Sequence, residues 1–417
     1  MISIPDEASL MPQVHDMTSG NRLYVLPSNT TELVRLDLLT EAGAAYQPSM
    51  LVASSAARLY TTASLHRSAE DVAEWLDYRG VVVENHPDLL CSNTTVYALR
   101  KYCSDLIPLL SELRREPAFP EDEFEIHRAK TKQKLQAATQ RSGDVARNIF
   151  YEMLFGTQHP LGCYAVPADA DRLSLDEVRS FYQQWYIDAG SPIVVASGNV
   201  DEELLEVVSK HFGEPSAQNT PRIDFKGAGL AAPELRRIVK IPGAVQTTLR
   251  MGRLLPMPWN SMEYARFMLL TTVLGGYFGS RLMSNLREDK GFTYGAYART
   301  QIYRGAIVFY ITAEVAAGTA DAAEEEVRNE LHRLCIEPVS DDELQMVKTV
   351  LAGDFIRSVD GVFERAERLC SMLQTDVDEM FTANLRKAIN ETTAGQLQEL
   401  AQRLLSDSQM TVCQVGA

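Results

Sequence analysis

Histidine and cysteine are the side chains most often used to bind metals or attack a substrate, and here both are sparse. The seven histidines are His15, His66, His86, His127, His159, His211 and His332, and no two lie closer than 20 residues. No helix can therefore present an i, i+4 histidine pair to a metal ion. The six cysteines (Cys91, Cys103, Cys163, Cys335, Cys370 and Cys413) come no closer than 12 residues. That spacing excludes CxxC and zinc-knuckle patterns. His159 precedes Cys163 closely enough to suggest an imidazole-activated thiol, but no Asn or Asp is indicated to orient the ring. Gly275–Ser280 reads GGYFGS, which lacks the GK[ST] of a phosphate loop; a break between helices is expected, with Gly allowing an unusual turn. The acidic runs Glu324–Glu326 and Asp341–Glu343 read as solvated helix faces, or as a chamber lining that would draw in basic peptides.

Composition bounds what these residues can serve. The chain has 417 residues, 45% hydrophobic and 23% charged, with a net charge of −16. At about 150 residues per domain, two or three domains are expected. So acidic a surface repels phosphate backbones and anionic lipid, arguing against nucleic acid and membrane as partners. Scattered thiols and an N-terminus without a basic-then-apolar signal point to a cytoplasmic protein.

The elements that would position any site mix helix and strand. Strand-like runs include Arg22–Pro27, Glu32–Leu38, Ser92–Leu99, Gln246–Met251 and Ala306–Ala313. Helix-like runs include Leu51–Leu65, Glu121–Thr139, Asp144–Leu154, Arg281–Arg287 and Asp341–Arg357. Ser174 with Glu177 has the spacing of a capping box. Short gaps between strands favour an α+β fold over a doubly wound parallel sheet. The Pro- and Gly-bearing stretch 214–235 reads as a linker between an N-terminal half, 1–213, and a C-terminal half, 236–417. PEDEFEIHRAKTKQKL from Pro120 has a counterpart in SDDELQMVKTVLAGDF from Ser340, and SLDEVRSFYQQWY from Ser174 a weaker one in TAGQLQELAQRLL from Thr393. The matching offsets point to a duplication.

With those features in place, the chain resembles the pitrilysin/insulinase-type metallopeptidases and the subunits of mitochondrial processing peptidase. The resemblance runs through EAGAAYQP from Glu41, RSAEDVAEWLDYRGVVVE from Arg67, LFGTQHPLG from Leu154 and LGGYFGSRLMSNLREDKGFTYGAYA from Leu274. It implies two similar domains, each a mostly antiparallel sheet with helices packed on one face, together forming half of a clam-shell chamber.

Active members of that family carry HxxEH on the helix after the first strands, with zinc on the two histidines and the Glu as general base. Aligned to that pattern, Ala53, Ala56 and Ala57 stand where His, Glu and His belong. No His, Asp, Glu or Cys occurs between Glu41 and His66, and no acidic residue between Glu125 and Asp144, where the third ligand would fall near Lys134–Gln136. The resemblance thus implies a non-catalytic subunit with no cofactor of its own, zinc being expected in an HxxEH-containing partner. Arg287 and Tyr294 match the Arg/Tyr pair of the family's C-terminal domains, which reaches toward zinc held by the N-terminal half or by a partner subunit and binds peptide substrate; the plain alternative is that Arg287 pairs with a nearby Glu or Asp and Tyr294 packs at a strand start. The alternative is a stand-alone peptide-binding or structural homodimer with no catalytic role.

Overall fold

The computed structural model describes residue 5 and residues 10–17, 20–213, 222–229, 234–378, 380–405 and 410–417. The N-terminal half opens with β1 (Gln13–Asp16), β2 (Arg22–Pro27) and β3 (Leu33–Thr40). Helices α1 (Val52–Leu59) and α2 (Ala69–Arg79) lead to the hairpin β4 (Val82–Pro87) and β5 (Ser92–Leu99). Then come α3 (Arg100–Arg115), α4 (Glu121–Ala138), α5 (Ser142–Phe155), α6 (Pro167–Arg172) and α7 (Leu175–Tyr182). Strand β6 (Ile193–Gly198) and α8 (Glu202–Phe212) complete that half.

The C-terminal half repeats the plan. It runs β7 (Arg236–Lys240), β8 (Gln246–Leu254), α9 (Met262–Gly275), β9 (Thr293–Tyr303) and β10 (Ala306–Ala316). Five helices follow: α10 (Ala320–Ile336), α11 (Asp341–Arg357), α12 (Val362–Thr375), α13 (Met380–Glu391) and α14 (Ala394–Leu404). Strand β11 (Thr411–Gly416) closes the fold.

Apart from β1, which only the first sheet has, the two sheets have the same strand order. In the first it is β1-β2-β6-β3-β5-β4, and in the second β7-β11-β8-β10-β9. In each, the closing strand pairs in parallel with an early strand, β6 with β2 and β11 with β7, while the other pairs are antiparallel. Each half packs its own helices on one face of its sheet. On the first sheet, Leu23, Leu36 and Val96 meet Leu106 and Ile107 of α3 and Leu204 of α8 in one buried cluster. On the second, Leu249, Phe309 and Ile311 meet Phe267 and Leu270 of α9.

The opposite face of each sheet is covered by one helix from the other half. Phe150 and Met153 of α5 pack with Val308, Cys413 and Val415 of the second sheet. Ala366 and Cys370 of α12 pack with Leu26, Leu39 and Val195 of the first. At about 1.5–3 kcal/mol for each large apolar side chain removed from water, this exchange is a major part of what joins the halves.

Ionic contacts fasten the same seam. Arg304, in the β9–β10 turn, reaches Glu41 at 2.7 Å and Asp376, just beyond α12, at 3.0 Å. Arg222 reaches the same two carboxylates at 2.9 and 2.8 Å. The expected linker is therefore partly docked. Phe225 is buried and its amide donates to the Arg304 carbonyl, while 214–221 and 230–233 lie outside the described residues.

Local starts and stops follow from capping. Ser68 and Asp71 form a capping box on α2, which ends at Gly80 in the left-handed region. The capping box expected at Ser174 does not form: its side chain makes no cap bond, and Glu177 instead accepts from the Ser49 hydroxyl at 2.8 Å. The helix expected over Leu51–Leu65 is shorter. It begins after Leu51, itself held at φ 75°, and stops at Leu59. Among the described residues no helix is long and apolar enough to cross a membrane.

Candidate functional site

Helix α1 carries Ala53, Ala56 and Ala57, all fully buried. Ala53 and Ala56 share an apolar cluster with Leu59, Tyr60, Phe181, Tyr182 and Tyr186. The small methyl groups leave room for large rings: Tyr182 stacks on Tyr186 with centroids 4.5 Å apart, and Tyr60 lies 5.5 Å from both. Two of the hydroxyls donate to a partner, Tyr60 to Thr94 and Tyr182 to the Arg114 carbonyl, both at 2.6 Å, while the buried Tyr186 hydroxyl has none. Burial raises the phenol pKa values further, so these rings stay neutral.

These residues do not fit zinc. The three ligand positions offer only methyl groups, and Lys134 and Gln136, at the expected third-ligand position, face solvent. Among the described residues no group of three or more His, Cys, Asp or Glu side chains could hold a metal ion. The local charge is also wrong for a cation. His127 of α4 is pushed down to about 4 by burial, with Arg58, Lys134 and Lys130 adding to the effect.

His127 ties α1 to α4, the helix on which a third ligand would stand. Its Nε2 lies 3.0 Å from Oγ of Ser55. Ser55 is fully buried, so the pair resembles a serine–histidine dyad in spacing but offers no route for a substrate. Nothing in the local sequence signals this link, because the partners are 72 residues apart. Beside the N-terminus of α1, a cleft of about 530 Å³ is lined by Gln47, Met50, Leu51, Ala53, Pro87 and Tyr164 among others. It holds no cluster of titratable groups suited to catalysis.

The other expected site residues stand in the C-terminal half. Arg287 lies on a π-helical turn, Met283–Asp289, anchored by buried Met283 and Leu286. Asn285 of that turn donates to Glu326 at 3.0 Å and Glu330 at 2.9 Å on α10. Just upstream, Arg281 makes a two-pronged contact with Glu343 of α11 at 2.9 and 2.8 Å. The acidic runs are thus not plain solvated faces. Glu343 and Glu326 fasten this turn, and Glu324 is buried between Arg236 and Arg328.

The Arg287 guanidinium sits 4.4 Å from the centre of the Phe278 ring, a cation–π contact. Tyr294 is the second residue of β9, the outer strand of its sheet, and is 88% exposed. A register shift between Ala313 and Val315 on the partner strand marks a bulge beside it. The π-helical turn and β9 pack together, placing Arg287 and Tyr294 on neighbouring elements, although their side chains make no hydrogen bond or ring contact. Helix α1 packs on α4, α7 and β4 of its own half, so the alanine positions and the Arg/Tyr corner belong to different packing units.

The remaining motifs serve structure. Gly275 and Gly276 do not supply an unusual turn. Gly276 has ordinary helical geometry (φ −82°), and a Cβ on Gly275 would lie 2.4 Å from the Ala298 amide, so close approach is the constraint. His159 Nδ1 accepts from the Leu161 amide at 3.1 Å, and the Cys163 thiol donates to the His159 and Thr157 carbonyls. Burial raises the thiol pKa, which leaves it protonated and holds the loop closed.

Residues 172–351 match the family described as the peptidase M16 inactive domain. The chain is 26% identical over 358 residues to an uncharacterized zinc protease of Mycobacterium tuberculosis, covering 82% of this chain and 78% of that one. The fold matches a peptidase M16 inactive domain from Pseudomonas fluorescens with a TM-score of 0.84 at 20% identity, covering 97% and 98% of the two chains. It also matches the ferredoxin protease FusC, solved in complex with Arabidopsis ferredoxin, with a TM-score of 0.76 at 14% identity; the match covers 99% of this chain and 46% of that one. With methyl groups buried where ligands would stand, the chain is similar in sequence and fold to pitrilysin/insulinase-type (M16) peptidases, and its matched segment to the domain described as inactive.

Proposed function

We propose that this chain is the zinc-less subunit of a two-chain peptidase, closing with a homologous HxxEH-bearing partner around a peptide. The observation that carries the reading is the open corner at Arg287 and Tyr294. Tyr294 of β9 is 88% exposed and Phe278 is 63% exposed, on either side of a turn fastened by Asn285 and Arg281. Large aromatics left exposed on a fixed frame suit recognition better than folding. At a chamber wall, Arg287 would hold a substrate carbonyl and the Tyr294 hydroxyl would donate to the oxyanion that forms under attack. The free edge of β9 would accept an extended peptide as an added strand. Zinc, and amide hydrolysis itself, would belong to the partner.

The match to the ferredoxin protease supports a two-part chamber, since 46% of that chain is covered and a second chain would supply the rest. The test mixes this chain with a homologous HxxEH chain and compares peptide turnover with the Arg287→Ala/Tyr294→Phe double variant. The expected loss is about 10²–10³-fold with the complex intact, the scale seen when an oxyanion donor is removed. Full activity of the variant removes the catalytic role. A stable self-dimer without affinity for the HxxEH chain supports the structural alternative.

A further inference from the structure

A second polar site lies on the face of the first sheet that α12 covers. Cross-strand pairing sets His86 opposite Asn93, Glu84 opposite Thr95 and Val82 opposite Tyr97. On the other side of β5, Asp37 pairs with Thr95 and Arg35 with Tyr97. Paired residues share a face, so the sheet presents a polar patch to the exchanged helix. Between them is a cleft of about 610 Å³, lined by Glu84, His86, Asn93 and Tyr97 from the sheet and by Glu367 and Ser371 from α12, among others.

The buried core of this patch is almost fully satisfied. Asp37 accepts from Arg35 Nε at 2.8 Å and Nη2 at 3.0 Å, from Thr95 at 2.7 Å and from Asn93 Nδ2 at 2.9 Å. Arg35 also donates to the Phe363 carbonyl at 3.2 Å. One atom is left over. Asn93 is 6% exposed, and its Oδ1 has no hydrogen-bond partner. The amide cannot be turned to cure this, because turning it would set Oδ1 against the Asp37 carboxylate. A buried carbonyl oxygen without a donor is costly, and what it lacks is an N–H or O–H group.

The charges around it select the donor. The Arg35 cation is neutralised by Asp37, whereas Glu367 and Asp88 have no cationic partner among the described residues, and Glu84 has only His86 at 3.5 Å. We propose that this cleft binds an organic cation bearing N–H donors, a guanidinium or primary ammonium group, with one N–H on Asn93 Oδ1 and its charge between Glu84 and Glu367. Such a group comes either as a free small amine or as a side chain of a polypeptide.

Calorimetric titration of the full chain tests this with agmatine as the free cation and an acetylated, amidated Ala-Arg-Ala peptide as the side-chain source. Saturable binding of either probe, weakened about tenfold or more by Glu84→Gln/Glu367→Gln, supports the site. Binding of the peptide alone assigns the cation to a polypeptide, and binding of agmatine assigns it to a free amine. Both replaced carboxylates are exposed, so the variant keeps its fold. Tetramethylammonium, which has the charge but no N–H, should not compete. The proposal is overturned if neither probe binds, if the variant binds equally well, or if tetramethylammonium competes as strongly as agmatine.

Discussion

Apart from β1, the two halves share one strand order, and they have treated their chemistry-bearing positions in opposite ways. In the N-terminal half, α1 is sealed by stacked tyrosines, with Ala53, Ala56 and Ala57 fully buried. In the C-terminal half, Tyr294 and Phe278 stand in solvent on either side of a turn braced by Asn285 and Arg281. The difference teaches that the three alanine positions are core, so their residues answer to packing. The open corner answers to something outside the fold.

The largest expected effect comes from trying to reverse the sealed half. Ala53→His/Ala56→Glu/Ala57→His places three larger polar groups among packed rings and should lower unfolding free energy by about 5 kcal/mol or more. Urea denaturation measures this, and added zinc should not move the midpoint. A well-folded variant that zinc stabilises would refute this core role. Next in size is the seam between the halves. Arg304→Ala leaves Glu41 and Asp376 short of a buried partner and should cost about 3 kcal/mol in the same measurement.

His127 gives a smaller, pH-dependent effect. Its imidazole is held down to about 4 in the fold, while an unfolded histidine titrates near 6.5. Between those values the unfolded chain holds the proton and the folded chain does not. Stability is therefore fully present above about 6.5 and falls as pH drops toward 4, by on the order of 1 kcal/mol for a half-buried ring. His127→Gln should flatten that stretch of the stability–pH curve; an unchanged curve would assign the acid sensitivity elsewhere. The smallest effect belongs to the open corner. Arg287→Ala and Tyr294→Phe should each leave stability within about 0.5 kcal/mol of the parent. A substantial loss would mean that the corner serves folding after all.

Much of this was legible in sequence. The strands at Arg22–Pro27 and Ser92–Leu99 and the helix at Asp341–Arg357 have the expected bounds, because apolar spacing and caps are local signals. The alanines at the lost ligand positions were equally plain, since absence of His, Glu and Cys holds in any register. Strands β4 and β9 were not among the expected runs: VVENHP is half polar, and TYGAYARTQIY carries a glycine and exposed polar alternates. Both are outer strands, where the usual apolar signal weakens. Glu324 looked solvated and is buried, because its partner Arg236 lies 88 residues away. The same distance problem hid the Ser55–His127 link and the acceptor left over on Asn93. Local pattern gives the face of an element; only the assembled fold gives what that face meets.

The exchanged helices bear on how the chain can be made. Residues 142–155 roof a sheet whose last strand ends at residue 416, and residues 362–375 roof a sheet begun by residue 13. Neither sheet can be covered on both faces until nearly all of the polypeptide has left the ribosome, so the earlier half must wait with one apolar surface bare. Chain cleavage within 214–235 would yield two fragments, each holding the other's cover. Made separately they would tend to aggregate, and made together they would reassemble as a bimolecular complex whose affinity measures the effective concentration the intact connection provides.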